Sequence, residues 1–87
     1  MKIIKDGQDE IITKISDNLQ DYKIYDKDDD ASPNYYGFVD KNGKWYILKE
    51  TVSAGADTYR YVKGSSGYTT AWTNRATQTY DYYYNIF

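Results

Sequence analysis

Tyr35-Tyr36-Gly37-Phe38-Val39 and Lys44-Trp45-Tyr46-Ile47-Leu48-Lys49-Glu50-Thr51-Val52 flank Asp40-Lys41-Asn42-Gly43, and this stretch decides the fold. Both flanks are aromatic and β-branched, the residue types that suit a pleated surface. The Asn-Gly pair between them tolerates the positive φ angles of a tight turn, so a β-hairpin is expected. Asp40 is placed to accept hydrogen bonds from the turn's own amides. Downstream, Ser53-Ala54-Gly55-Ala56-Asp57 reads as a loop and Thr58-Tyr59-Arg60-Tyr61-Val62-Lys63 alternates as a third strand. Gly64-Ser65-Ser66-Gly67 is the most flexible stretch. Upstream, Asp21-Tyr22-Lys23-Ile24-Tyr25 reads as a strand, and residues 26–34 as a solvated loop in which Pro33 halts any regular element.

The two ends are less regular. Thr70-Ala71-Trp72-Thr73-Asn74-Arg75-Ala76 is either a single helical turn capped by Thr69 or Thr70, or an extended corner, because its Thr and Asn content disfavours a long helix. Residues 77–87 are expected as a closing strand. Period two puts Tyr80, Tyr82, Tyr84 and Ile86 on one face and Thr79, Asp81, Tyr83, Asn85 and Phe87 on the other. Rings on both faces imply a central strand, or one covered by a neighbouring subunit. At the N-terminus, Lys2-Ile3-Ile4-Lys5 and Glu10-Ile11-Ile12-Thr13-Lys14-Ile15 suggest a small hairpin around Asp6-Gly7, or the second run starts a helix through Leu19. Together these readings predict an all-β domain, a small antiparallel sandwich or barrel of about 6–7 short strands, with room for one short helical turn. Residues 35–87 form its aromatic-rich core, and residues 1–34 an N-terminal arm or accessory hairpin.

Composition explains why the core is aromatic. The chain of 87 residues has only eight Ile, two Leu and three Val, but twelve Tyr and two Trp. Each ring buries on the order of 150–250 Å², so the rings substitute for missing aliphatic side chains. Fourteen of the sixteen aromatics lie in residues 35–87. Charge is also uneven: residues 1–34 hold nine Asp or Glu against five Lys, and residues 35–87 four against six Lys or Arg. That asymmetry suits head-to-tail contact between identical subunits.

Several function classes drop out. Without Cys there is no thiolate nucleophile, disulfide or zinc-thiolate site, and without His the commonest general base and metal ligand are gone. Glu50 with Asp57 or Asp81 would have to supply catalysis, and nothing in the spacing brings two of them together, so no enzyme and no cofactor are expected. The pI near 4.9 argues against nucleic acid. No apolar run suits a bilayer span, and the N-terminus lacks the apolar stretch of a signal peptide, so a soluble, cytoplasmically made protein is expected.

Asp26, Asp28 and Asp30 have the spacing of the first EF-hand ligands. Ala31 stands where the loop needs Gly and Gly37 where it needs Glu, so the motif fails and no metal is assigned. Exposed rings stack on sugars, and Tyr59, Tyr61, Tyr68, Tyr83, Trp45 and Trp72 are available for that, but the core competes for the same rings. A Tyr-rich closing strand fits a protein interface at least as well.

The positions Tyr36, Gly37, Gly43, Trp45, Ile47 and Lys49, followed by Trp72, Arg75, Ala76 and Tyr80, form a pattern Y-x-G, then G-x-W-x-I-x-K, then W-x-x-R-A-x-x-x-Y. Over residues 35–84 it resembles small virion-associated β-domain proteins of tailed bacteriophages. The resemblance implies phage origin and a virion location after synthesis in the host cytoplasm, as a structural or adaptor subunit of a tail, neck or head decoration. It supplies no catalytic signature. The expected fold-determining or interface residues are Tyr36, Trp45, Ile47, Trp72, Arg75, Tyr80, Tyr82, Tyr83, Tyr84 and Phe87. The expected partners are further copies of the chain and other virion proteins. The alternatives are a host-glycan module of a tail fibre, or an inhibitor of a host protein built on the acidic face of residues 26–30.

Overall fold

The computed structural model describes residues 19–87, and its centre is the expected hairpin. Strands β2 (Asn34–Val39) and β3 (Trp45–Ser53) pair antiparallel, Val39 opposite Trp45 and Asn34 opposite Glu50. The turn between them is specified twice over. The Gly43 amide donates to the Asp40 carbonyl at 3.1 Å, and Gly43 takes a left-handed φ of 89°. That is a turn closed by a left-handed glycine, a common solution for short hairpin loops. The Asp40 carboxylate accepts the amides of Asn42 at 2.8 Å and Lys44 at 2.9 Å.

β3 returns through the two-residue turn Ala54-Gly55 into β4 (Ala56–Gly64), paired from Trp45 opposite Gly64 to Ser53 opposite Ala56. On the other side β1 (Lys23–Asp28) pairs with β2, with a register shift between Ile24 and Asp26 that leaves Tyr25 bulged. The four strands form one antiparallel sheet in the order β1-β2-β3-β4. The expected sandwich or barrel of six or seven strands is thus replaced, among the described residues, by a single mostly β layer with short helices against it. The expected hairpin of residues 2–5 and 10–15 lies outside the described residues. Residues 26–28, read from sequence as loop, belong to β1, because Asp26 and Asp28 alternate toward the sheet's inner face and find partners there.

That inner face carries the core. Period two turns Tyr35, Gly37 and Val39 of β2 and Trp45 and Ile47 of β3 to the same side. Tyr35, Val39, Trp45 and Ile47 cluster with Ala71, and Val62, Tyr68, Trp72 and Tyr80 pack around them. Ile47 is completely buried. The covering helix α1 (Tyr68–Thr73) begins two residues before the expected Thr70. It starts at Gly67, which takes a φ of 73° and makes no side-chain cap. Thr69 and Thr70 therefore do not cap it. Packing sets the helix instead: Tyr68 and Trp72, four residues apart, fall on one helical face and stack at 6.2 Å.

The closing strand does not form. After a 3-10 turn at Arg75–Thr77, only Asp81 pairs with the sheet, exchanging both backbone hydrogen bonds with Tyr61 of β4 at 2.8 and 2.9 Å. The chain then coils into α2 (Tyr83–Ile86). The cause lies in the rings. A strand would hold Tyr83 and Phe87 roughly 13 Å apart, whereas one helical turn brings their centroids to 5.0 Å, both against Tyr61.

Candidate functional site

Two side-chain systems give the sheet its chemistry. The first is a row across the inner face in which Asp28, Tyr35, Lys49 and Arg60 stand opposite one another through β1, β2, β3 and β4. The C-terminal segment lays a second layer on this row. Arg75 pairs with Asp28, its Nε and Nη2 both 3.0 Å from one carboxylate oxygen, and its guanidinium lies 4.6 Å from the Trp72 ring and 5.9 Å from Tyr35. Tyr80 sits between Tyr35 (6.0 Å) and the Lys49 ammonium (5.3 Å), and its hydroxyl donates to the Arg75 carbonyl at 2.8 Å. Tyr82 covers Arg60 at 4.2 Å. Cation-on-ring contacts of this kind contribute about 0.5–1 kcal/mol each where exposed.

Neighbouring groups lock the same layer. The Tyr68 hydroxyl donates to Asp26 at 2.7 Å, and burial first, then this bond, pushes its pKa well above 10.0. Burial pushes the Tyr80 hydroxyl up in the same direction. The acidic run is therefore divided among partners: Asp26 to Tyr68, Asp28 to Arg75, and Asp29 to Lys27 at 3.4 Å. Among the described residues no group of three acidic side chains is arranged to hold a metal ion.

The second system is the outer face. Tyr46 lies at its centre, stacked on Phe38 at 4.6 Å and met edge-on by Tyr22 at 5.1 Å and Phe87 at 5.4 Å. Further along, the Glu50 carboxylate accepts hydrogen bonds from Asn34 and Tyr36, both at 3.2 Å, and Tyr59 at 3.3 Å. The Asn34 bond and the two phenols hold Glu50 below its ordinary value against the opposing pull of burial.

The residues singled out from sequence divide between these systems. Trp45, Ile47, Trp72, Arg75 and Tyr80 gather on the inner face, Trp45 also donating its indole N–H to the Ser66 carbonyl at 2.6 Å. Tyr36, Tyr83 and Phe87 lie on the outer face with Glu50 and Tyr61. Tyr82, over Arg60 of the inner row, and Tyr84 lie outside the buried cluster. They stack on each other at 5.4 Å with planes 6° apart, and both are exposed. Sequence reading named Asp26, Asp28, Lys49 and Glu50 for other reasons without foreseeing these contacts, and did not single out Arg60. The signal for the first two was present, since carboxylates two apart in a strand share a face and Arg75 needs a partner.

Most of the exposed large apolar side chains lie toward the two edges of the sheet, with Val52 on β3 and Tyr59 on β4 also exposed. Ile24 (55% exposed) and Tyr25 (65%) lie on β1, while Tyr82 (45%), Tyr83 and Tyr84 (76%) line the segment beside β4. Beside Tyr25 an open groove of about 370 Å³ is lined by Gln20, Asp21, Lys23, Val39, Asp40 and Lys41. Comparison with known proteins returns no match among family models, curated proteins or solved structures.

Proposed function

We propose that this chain is a non-enzymatic assembly subunit, a structural or adaptor component of a tailed-phage particle, that works by associating with copies of itself and with other virion proteins. The carrying observation is the exposure of large apolar side chains on both edges of a small sheet, Ile24 and Tyr25 on one and Tyr82, Tyr83 and Tyr84 on the other. Such side chains concentrate where protein surfaces meet, with Tyr, Trp and Arg as the usual anchors. The phage attribution rests on the motif resemblance over residues 35–84.

Light scattering at micromolar concentration tests the reading. A defined dimer or larger species supports it, and a strictly monomeric chain across the concentration range overturns it. One observation favours a second reading as a host-glycan module: Tyr84 offers an exposed ring on a stacked pair, a surface that suits a sugar face. A glycan array with the wild-type chain and a Tyr84→Ser variant separates the two, since only the glycan reading requires binding that this change abolishes.

A further inference from the structure

The tip of the β2–β3 hairpin carries Asn42-Gly43, the one Asn-Gly step in the chain. Glycine presents no side chain beside its own nitrogen, so an asparagine that precedes it is the most readily deamidated kind. Asn42 is exposed, and a Cβ built on Gly43 would meet nothing within 4 Å, so water and base reach both residues. The reaction needs no cofactor. The Gly43 nitrogen gives its proton to base and attacks Asn42 Cγ; the new N–C bond closes a five-membered imide as the C–NH2 bond breaks and ammonia leaves. Water then opens the imide at one carbonyl or the other, leaving aspartate or isoaspartate.

The closed turn opposes the first step. The Gly43 N–H is committed to the Asp40 carbonyl at 3.1 Å, and the Asp40 amide donates to the Lys44 carbonyl at 2.8 Å. One oxygen of the Asp40 carboxylate holds the amides on either side of Gly43, Asn42 at 2.8 Å and Lys44 at 2.9 Å. To attack, the Gly43 nitrogen must lose its proton and turn toward the Asn42 side chain, which breaks the first bond and pulls on the others. We infer that Asn42 is a modification site gated by the hairpin: its carboxamide is preserved while the turn is closed and is hydrolysed when the turn opens. The product then acts on the fold. Isoaspartate lengthens the main chain by one carbon between positions 42 and 43, so the Asp40 bonds no longer close over the same number of atoms. The next pair of the ladder is Val39 with Trp45, both in the buried cluster. The change is irreversible and marks the copies whose hairpin has opened. This inference goes beyond the assembly reading and does not depend on it.

Peptide mass spectrometry on the full chain tests the gate, following conversion of the Asn42 amide to acid at one pH and temperature. Wild type in buffer is expected to convert at least about tenfold more slowly than wild type unfolded in urea, since the reaction must wait for local opening. Asp40→Ala, checked as folded by circular dichroism, removes the shared acceptor and is expected to convert about fivefold faster than wild type in buffer. In urea the two should convert at the same rate. Asp40→Asn keeps an acceptor oxygen and should stay near the wild-type rate in buffer. Equal wild-type rates in buffer and in urea overturn the inference, as does a folded Asp40→Ala chain no faster than wild type. The wild-type comparison decides alone if Asp40→Ala does not fold.

Discussion

Gly37 is the position where the packing of helix on sheet can be tested by adding one carbon. It is buried in β2, and a Cβ built on it would overlap the Tyr68 hydroxyl oxygen, lie 2.9 Å from Tyr68 Cζ and 3.0 Å from Trp72 Cε3. Tyr68 cannot simply swing aside. Asp26 holds its hydroxyl, and the rings of Tyr25, Trp45 and Trp72 surround it. Gly37→Ala should therefore cost about 1–3 kcal/mol from overpacking. Displacing the half-exposed Tyr68–Asp26 bond adds about 1 kcal/mol, and removing a glycine from a strand returns about 0.5–1 kcal/mol. The net loss is about 1–3.5 kcal/mol, or about 4–28 °C in Tm for a domain of this size. Stability on the order of 0.05–0.15 kcal/mol per residue leaves such a variant measurable. Urea unfolding followed by the fluorescence of Trp45 and Trp72 gives the number. A double-mutant cycle with Tyr68→Phe identifies the cause. The phenyl ring lacks the colliding oxygen, so the two changes should fall short of additivity by about 1 kcal/mol or more. Gly43→Ala is the control: its φ of 89° makes alanine costly through backbone strain, yet nothing lies within 4 Å, so it should add independently to Tyr68→Phe. A Gly37→Ala chain within about 0.5 kcal/mol of wild type, as an unconstrained surface change would be, or strict additivity with Tyr68→Phe, refutes the close approach of α1 to the sheet.

Two further outcomes follow from the same contacts. Tyr68 and Tyr80 have raised pKa values in the folded chain, so their contribution is complete below the ordinary value of 10.0 and is lost above it, as the unfolded chain releases protons that the folded one retains; Glu50, lowered from 4.5, contributes above that value and loses its contribution as pH falls through the folded one. Urea midpoints measured against pH should fall on both sides, Glu50→Gln should remove the acid-side slope, and a midpoint flat above pH 10.0 would count against the buried phenols. Arg75→Lys keeps the charge but loses the fork onto Asp28, the 2.9 Å bond to the Trp72 carbonyl and the flat contact with the Trp72 ring, and should cost about 1–1.5 kcal/mol. Asp28→Asn, which touches only a pair about one-third exposed, should cost less than about 1 kcal/mol; equal losses would show that the ring contacts contribute nothing.

The hairpin was legible because its determinants are local. Asp40, Asn42 and Gly43 fix the turn from within four residues, and alternation fixes the faces of β2 and β3. The alternation of Thr58–Lys63 was legible as a strand for the same reason, but residues 53–57, read as a loop, are mostly strand around the two-residue turn Ala54-Gly55. What escaped was decided over long separations. Asp26 and Asp28 look like loop residues until Tyr68 and Arg75, more than forty positions later, supply their partners. The closing strand failed because local alternation could not reveal that Tyr83 and Phe87 share one neighbour, Tyr61. The division of rings read from alternation nevertheless survives in part: Tyr80 and Tyr82 reach the inner row and Tyr83 and Phe87 the outer face, because Asp81 is pinned to the edge of β4 and the chain straddles it.

That pinning has a consequence for assembly. A strand edge presents a row of backbone donors and acceptors that pair readily with another chain. At Tyr61 on β4 both groups are taken by Asp81, so this part of the edge cannot be extended by backbone pairing and presents tyrosine side chains to its surroundings. Among the described residues β1 ends the sheet on the other side, with Tyr25 bulged out of the ladder. A contact made at this part of the β4 edge must then be built from side chains, with Tyr82, Tyr83 and Tyr84 as the exposed rings beside it. Hydrophobic contact without directional hydrogen bonds tolerates many registers. Selecting one register there falls to the polar groups beside the rings, Arg60 against Tyr82 and Asp81 at Tyr61.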